Sequence, residues 1–274
     1  MLEAKVVTDP AVVADCVGKR YPLSGANKGP MRGLCPRFGA DYVNALHSVS
    51  FVAEKGESIG IIGRNGSGKS TLLRLIAGGE AATSGVVYVS SQPTLLGVSP
   101  ALQGWLTGEQ NIYLGLLALG MQPDEARETI PEIIEWSELG AAAKRPMSTY
   151  SSGMGSKLSF AISTAVRPEI LLVDESLSTG DAAFAAKAQE RMSNLLSDAG
   201  NIFLVSHSLP TITQNCERVL WIHNGDLIAD GHCGEVTELY TSFSKRLQDG
   251  QQEKAQQLVE NLKNERVRMK IDYS

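Results

Sequence analysis

Apolar residues fall along this chain in short blocks separated by Gly, Pro, Ser and Asn, and the blocks are of two kinds. Some are nearly continuous: "SIGIIG" (58–63), "EILLVDE" (169–175) and "NIFLVSH" (201–207). Such runs are too short for helices and rich in Ile, Leu and Val, so they predict strands buried on both faces. "PAVVADCVGKR" predicts a first strand, and "NALHSVSFVAEKGESIGIIG" two strands around the turn "EKGE". "GVVYVSS" predicts another strand, and "RVLWIHNGDLIADG" a hairpin turning at Asn224-Gly225. The other blocks have helical spacing. "KSTLLRLIAG" predicts a helix stopped by Gly78 and Gly79. From about Leu106 to Leu139, "TGEQNIYLGLLALGM" and "PDEARETIPEIIEWSEL" are helical, the second opening on an acidic turn that suits a helix start. "TYSSGMGSKLSFA" (149–161) is Ser/Gly-rich and then helical, and the tail from Tyr240 is polar and helical. No internal repeat is visible. Strands therefore surround a helical insert at roughly residues 100–165, which predicts an α/β fold with a mixed sheet core and a helical subdomain.

The bulk properties remove several classes. The chain has 274 residues, 43% of them hydrophobic, enough for one large or two small domains. A net charge of -5 from intermixed acids and bases gives no general attraction to nucleic acid. Cys16, Cys35, Cys216 and Cys233 form no CxxC pair, so they read as reduced thiols of a cytosolic protein. The start "MLEAKVVTDP" lacks the basic and apolar regions of a signal peptide, and no apolar run is long enough to span a bilayer. If the protein works at a membrane, a partner does the spanning.

The chemistry centres on "GRNGSGKS", Gly63, Arg64, Asn65, Gly66, Ser67, Gly68, Lys69 and Ser70, followed by Thr71. It fits GxxxxGK[ST] between an apolar strand and an apolar helix, the context a phosphate loop requires. The glycines let backbone N–H groups converge on phosphates, and the helix N-terminus adds its dipole. Lys69 can reach the β- and γ-phosphates, and the Ser70 hydroxyl can ligate Mg²⁺. Asp174 ends a buried strand, where its carboxylate can also hold Mg²⁺, and Glu175 after it can act as general base on a water. By themselves, two acids after a strand are as well explained as a surface pair. His207 ends the "FLVSH" strand; it is either a structural histidine or a contact to the γ-phosphate that orients the water.

"YSSGM" followed by "ILLVDE", downstream of the phosphate loop, resembles the ATP-binding-cassette (ABC) ATPase family over roughly residues 10–240. The family signature is usually LSGGQ; here it stands as Tyr150, Ser151, Ser152, Gly153 and Met154. The resemblance implies that Ser151 and Gly153 bind the γ-phosphate of ATP held by the other cassette of a head-to-tail homodimer. It also implies that Tyr21 stacks on adenine and that Asp181, in "STGD", touches the opposite cassette. The other reading of Tyr21 is a core tyrosine at a strand end, and Asp181 can serve as a helix N-cap as well. The glutamine that usually links Mg²⁺ to the helical subdomain is unassigned between Gln92 and Gln103. On this reading residues 1–240 form the nucleotide-binding domain and 241–274 a helical tail, too short and polar for a fused glycan-binding sandwich.

Details that depart from the general family narrow the resemblance: "YSSGM", "LTGEQNIYL", "SLSTGDAAF" and the long 22–42 connection. Together they are similar to the ATPase subunits of polysaccharide, O-antigen and teichoic-acid exporters. That subfamily implies ATP and Mg²⁺ as cofactors, an integral-membrane permease dimer as partner, a lipid-linked glycopolymer as cargo, and a peripheral place on the cytoplasmic face of the membrane. The apolar "YLGLLALGM" is then either a docking groove for the permease or helical core. Lys28, Arg32 and Arg37 in the 22–42 connection either meet anionic lipid or the polymer's pyrophosphate, or lie in a solvated loop. Rival readings are a cassette for another cargo, a soluble cassette ATPase acting on ribosomes or DNA, and a nucleotide-binding regulator without turnover.

Overall fold

The computed structural model describes residues 7–23, 42–96, 102–174 and 182–265. The 22–42 connection with Lys28, Arg32 and Arg37, together with Glu175 and Asp181, lies wholly or mainly outside them. The chain divides into two compact units, one formed by Met1–Ser90 with Val205–Ser274 and one by Ser91–Leu204.

In the first unit, β1 (Pro10–Pro22), β2 (Tyr42–Glu54) and β4 (Ser84–Val89) form an antiparallel sheet in the order β2-β1-β4. The pairing runs from Pro10↔Glu54 to Pro22↔Tyr42 and buries Val12, Ala14, Val17, Leu46, Val49 and Phe51. β3 (Ser58–Ile62) pairs parallel with β8 (Arg218–His223), and β8 turns back antiparallel into β9 (Asp226–His232). The turn is the sequence-predicted Asn224-Gly225, with φ of 48° and 81°. Positive φ at both central residues matches the right-handed twist of a hairpin. α1 (Lys69–Ile76) follows the phosphate loop and buries Leu72, Leu73, Leu75 and Ile76. A short α6 (Leu209–Asn215), absent from the sequence reading, opens on Ser208 as N-cap.

The tail is more deeply built in than its polarity suggests. α7 (Cys233–Gln248) begins before Tyr240 and runs through it. Tyr240 and Phe243 pack on the fully buried Trp221 of β8, with ring centroids 5.5 and 5.2 Å away. α8 (Gln252–Glu265) buries Ala255 and Val259. Leu258 and Leu262 of the same helix are half-buried beside them. Burial pushes the Cys216 thiol up to about 12, so it stays protonated, and Cys16, Cys216 and Cys233 are all free thiols.

In the second unit, β5 (Thr94–Leu96) pairs parallel with β6 (Ile170–Asp174), whose other neighbour is β7 (Asn201–Val205). β5 is too short to stand out in the sequence. The helices are α2 (Gly108–Ala118), α3 (Pro123–Trp136), α4 (Ser152–Ser163) and α5 (Ala182–Asp198). α2 starts with a capping box: Gln110 N–H donates to Thr107 Oγ1 at 3.2 Å, and Thr107 N–H to Gln110 Oε1 at 2.9 Å. The "YLGLLALGM" stretch turns one face, with Ile112 before it, into the helical core. Ile112 and Leu116 are fully buried, Tyr113, Leu117, Leu119 and Met121 pack around them, and Gly115 brings α2 against Ile162 of α4. Only Leu114 of that stretch is a large exposed apolar residue.

Cations on α5 finish two helix ends. Lys187 Nζ donates to Trp136 O at the end of α3 (3.0 Å), and Arg191 donates to Thr164 O after α4 (3.2 Å). Both cations also lie over the Trp136 ring, at 5.1 and 4.8 Å. Each satisfies orphan carbonyls at the negative end of a helix dipole while adding a cation–π contact.

In the first unit one ion cluster ties three segments. Arg218 bonds Asp230 through Nε (2.7 Å) and a terminal nitrogen (2.9 Å), and its other terminal nitrogen bonds Glu57 (2.9 Å) and Val52 O (2.9 Å). Its partners keep the guanidinium firmly charged despite burial, which alone would lower its basicity. Asp230→Ala leaves that charge without its two-pronged partner. Unfolding stability measured by urea titration should fall by about 2–3 kcal/mol, between the cost of an exposed pair and that of a fully buried one; a loss below about 0.5 kcal/mol would show the cluster to be a surface ornament.

Candidate functional site

The phosphate loop is shaped by its neighbours. Gly63 has φ 149°, and a Cβ there would sit 2.1 Å from Ile222 O and 2.7 Å from Ser67 Oγ. Gly68 has φ 109°, and its Cβ would sit 2.6 Å from Ala45 O. Gly66, at φ 77°, faces open space, so its glycine answers to backbone conformation alone. Two glycines are thus required by crowding and one by dihedral angle.

Lys69, at the first position of α1, is only 6% exposed. Its ammonium donates to Gly63 O (2.8 Å) and Arg64 O (3.0 Å), so the charge folds back over the loop. The buried Ser67 Oγ has no hydrogen-bond partner, while Arg64, Asn65 and Gly66 are exposed and Ser70 is half-buried. A cradle of glycines, an inward lysine and an unsatisfied hydroxyl fit a phosphate chain: it would accept from these donors and needs the room that side chains would fill. Ser67 O accepts from Gly225 N–H at 2.9 Å, tying the loop to the β8–β9 turn.

Tyr21, at the end of β1, donates its hydroxyl to Glu80 at 2.6 Å, and Lys19 Nζ lies 5.1 Å from its ring centroid. Glu80 also pairs with Lys19 (3.1 Å) and Arg74 (3.4 Å). Burial and the Glu80 carboxylate raise the Tyr21 phenol, while the phenol's hydrogen bond lowers Glu80, so the proton stays on the tyrosine. Thr71, in the first turn of α1, lies close enough to the phenol to oppose that rise, so the ring borders the phosphate-loop helix. Glu80 had no signal in the sequence, because its contacts to residues 19 and 21 are made only by folding. His207 is exposed in the same unit, just before the Ser208 cap of α6.

The second unit carries the signature. Ser151 is the N-cap of α4 and accepts from Met154 N–H at 3.2 Å. Ser151, Ser152 and Gly153 are exposed, and a Cβ on Gly153 would meet only Ser151 Oγ, at 3.9 Å. Tyr150 anchors the stretch, donating to Ala142 O at 2.8 Å, and burial raises its phenol. The small signature residues therefore present a bare, positive helix end to the outside. Asp174 is half-buried at the end of β6, whose other residues are fully buried. Gln92 and Gln103 are both exposed. The backbone of Gln103 is locked by Asn111, a buried amide that the sequence reading passed over, through its N–H (2.7 Å) and carbonyl (3.0 Å).

The comparisons with known proteins agree with this geometry. Residues 46–178 match the ABC transporter family. The chain is 39% identical over 231 residues to the teichoic acids export ATP-binding protein TagH of Bacillus anthracis, an alignment covering 84% of this chain and 42% of that protein. It is 36% identical over 230 residues to the protein of the same name from Staphylococcus haemolyticus, covering 84% of this chain and 87% of that one. The chain thus spans less than half the length of the first relative and most of the second. A solved dimeric ATP-binding cassette, in a post-hydrolysis state bound to ADP and Pi, aligns with a TM-score of 0.61 at 22% identity, over 81% of this chain and 98% of that one. At that identity the likeness is one of fold. A phosphate loop jammed between two strands, a signature capping an exposed helix, and a relative matched over most of its length lead to one conclusion: this chain belongs to the ABC transporter family, as an ATP-binding cassette.

Proposed function

We propose that this chain is the ATP-hydrolysing subunit of an exporter that moves lipid-linked polysaccharide or teichoic acid across the cytoplasmic membrane. It works as one of two identical cassettes held on the cytoplasmic face by a membrane-spanning permease dimer. The observation that carries this reading is the pair of unlike phosphate-binding features on one chain. The loop at Gly63–Ser70 is a full cradle, whereas the Ser151–Gly153 helix end is exposed and offers only a cap. Two copies arranged head to tail give each nucleotide one of each. The relatives' shared name, teichoic acids export ATP-binding protein, supports the cargo class. Among the described residues no helix is long and apolar enough to cross a membrane, which agrees with a separate permease.

The roles follow from the chemistry of each side chain. Gly63, Arg64, Asn65, Gly66, Ser67 and Gly68 wrap the phosphates with backbone N–H groups, and Lys69 moves from the loop carbonyls to the β- and γ-phosphate oxygens. Tyr21 lays its ring against adenine, steadied by Glu80. Thr71 carries the loop into α1. The hydroxyl of Ser70 and the carboxylate of Asp174 are the hard oxygen donors that would hold Mg²⁺, which supplies neutralisation of phosphate charge when bound. Glu175 takes the proton of the attacking water, and His207 contacts the γ-phosphate. From the partner cassette, Ser151 and Gly153 close on that γ-phosphate, and Asp181 touches the opposite chain. Ser151 accepts from Met154 with a lone pair, so its hydroxyl proton stays available to a phosphate oxygen.

The reading is tested by isolating the chain from its native membrane. A polytopic permease that co-purifies, with turnover that rises in its presence, is the expected result; a soluble chain holding ribosomes or DNA would remove export. Glu175→Gln should bind ATP, lose at least about 100-fold in turnover, as removal of a general base does, and run as a dimer on gel filtration with ATP. A monomer under those conditions would count against the sandwich. Gly63→Ala and Gly66→Ala separate crowding from conformation. The first should abolish ATP binding, because its Cβ meets a backbone oxygen. The second should cost about 1–3 kcal/mol of local strain and keep weakened binding in calorimetry.

A further inference from the structure

The hydrogen bond from Gly225 N–H to Ser67 O does more than join two loops. In a trans peptide the carbonyl of one residue and the N–H of the next point in opposite directions. Holding the Ser67 carbonyl toward the hairpin therefore turns the Gly68 N–H the opposite way, away from the hairpin. The orientation of a phosphate-binding amide is thus set by the β8–β9 turn.

That turn is itself held from two further directions. Gly225 O accepts from His47 N–H at 3.0 Å, and a Cβ on Gly225 would lie 3.0 Å from Ala45 O, so the turn is pressed onto β2. The next residue, Asp226, bridges two elements. Its Oδ1 lies 3.2 Å from His47 Nδ1, and its Oδ2 accepts from Lys263 Nζ at 2.7 Å. Lys263 is in the last turn of α8, which is seated on its own apolar residues Ala255 and Val259. The helix also lines a cleft whose opposite side includes Arg64 of the phosphate loop and the ring of His223. His223 is 9% exposed, and its Nδ1 has no hydrogen-bond partner. The end of the chain's described part thus stands next to the nucleotide loop and is pinned to the turn that orients it.

We propose that Asp226 and Lys263 are positioning residues for nucleotide binding: the C-terminal helix α8, through the Lys263–Asp226 pair, holds the β8–β9 turn so that Gly225 keeps the phosphate loop in its anion-binding shape. The proposal rests on the ATP-binding reading given above. It makes α8 a part of the nucleotide site without any contact to nucleotide, and it gives whatever displaces α8 a route to the loop.

The pair is partly exposed, Lys263 at 55% and Asp226 at 22%, so its effect is small and screened by salt. In the full chain, Lys263→Glu should raise the Kd for Mg-ATP about two- to fivefold, the range that an exposed ion pair supports. It should leave kcat at saturating ATP unchanged, because no group touching the reacting atoms is altered. Lys263→Arg should restore wild-type affinity. The gap between wild type and Lys263→Gln should close as ionic strength is raised to about 1 M, where screening acts within about 3 Å. A thermal melt on each variant reports folding separately. An unchanged Kd for Lys263→Glu in a chain whose wild type binds ATP overturns the proposal, as does a lowered melting point with unchanged Kd, which would make the pair structural only. A wild type that binds no ATP removes the nucleotide reading itself, and this proposal with it.

Discussion

Gly63 has room for a hydrogen and nothing more, and most of the first unit exists to make that so. The crowding comes from the main chain of Ile222, the residue next to the end of β8. Ile222 reaches Gly63 because β8 lies parallel to β3 in a fixed register, Ile62 opposite Trp221. That register is held in turn by the close packing of fully buried Ile59, Ile61, Val219 and Leu220 in strands covered on both faces. At the other end of the loop, Ala45 of β2 does for Gly68 what Ile222 does for Gly63. The loop is therefore a gap left between strands whose positions are set by apolar burial. Its shape is largely inherited from the core, with the Gly225 N–H bond to Ser67 O fixing one peptide within it. This suits an anion site, since a preformed cradle does not have to be ordered when the ligand arrives.

The signature in the second unit has the opposite character. Nothing crowds Gly153, and the capping hydroxyl of Ser151 is the main local constraint. What fixes its direction is the helix behind it. Leu158, Ala161 and Ile162 are buried against α2, and Tyr150 is bonded back to Ala142. Exposed small residues on a rigid helix are poor at holding a ligand alone but good at completing one held elsewhere, because they add a dipole and a few donors without needing to be filled. The contrast between a buried cradle and a bare cap is the physical reason for reading the two as halves of a site shared by two chains.

Much of this was legible before any coordinates. The continuous apolar runs hold strands over 58–62, 170–174 and 201–205, the "NG" at Asn224-Gly225 is the hairpin turn, and Gly78 follows the end of the first helix with φ 70°. The phosphate loop and signature were readable because their chemistry demands particular residues at consecutive positions. What was not readable depends on contacts between residues far apart in sequence. Glu80 becomes Tyr21's partner, Asn111 becomes the lock on Gln103, and Asp226 becomes the bridge between α8 and β2, each through pairing that no local pattern announces. "YLGLLALGM" stood equally for core and docking face because both are apolar; the packing of α2 on α4 assigns its buried face to the core. The start of α7 was missed because Cys233 and Gly234 do not look like a helix opening, and its cap is the side chain of His232.

The anchoring of α5 bears on the chemistry assigned to Glu175. β6 ends at Asp174 and α5 begins at Ala182, so the segment carrying Glu175 and Asp181 joins two elements. Each of those elements is held without reference to nucleotide. Ile170, Leu171 and Leu172 of β6 are buried. α5 is fixed by Phe184 against Trp136 and Phe160, and by Lys187 and Arg191 on the ends of α3 and α4. Arg191 is buried enough to lower its basicity, a cost accepted only where the carbonyl of Thr164 and the Trp136 ring receive it. Since α4 also carries the signature at its other end, Arg191 links the helix that presents Ser151 to the helix that follows Asp181. The helix that presents Ser151 and the helix α5 are thereby tied together within one packed group of helices.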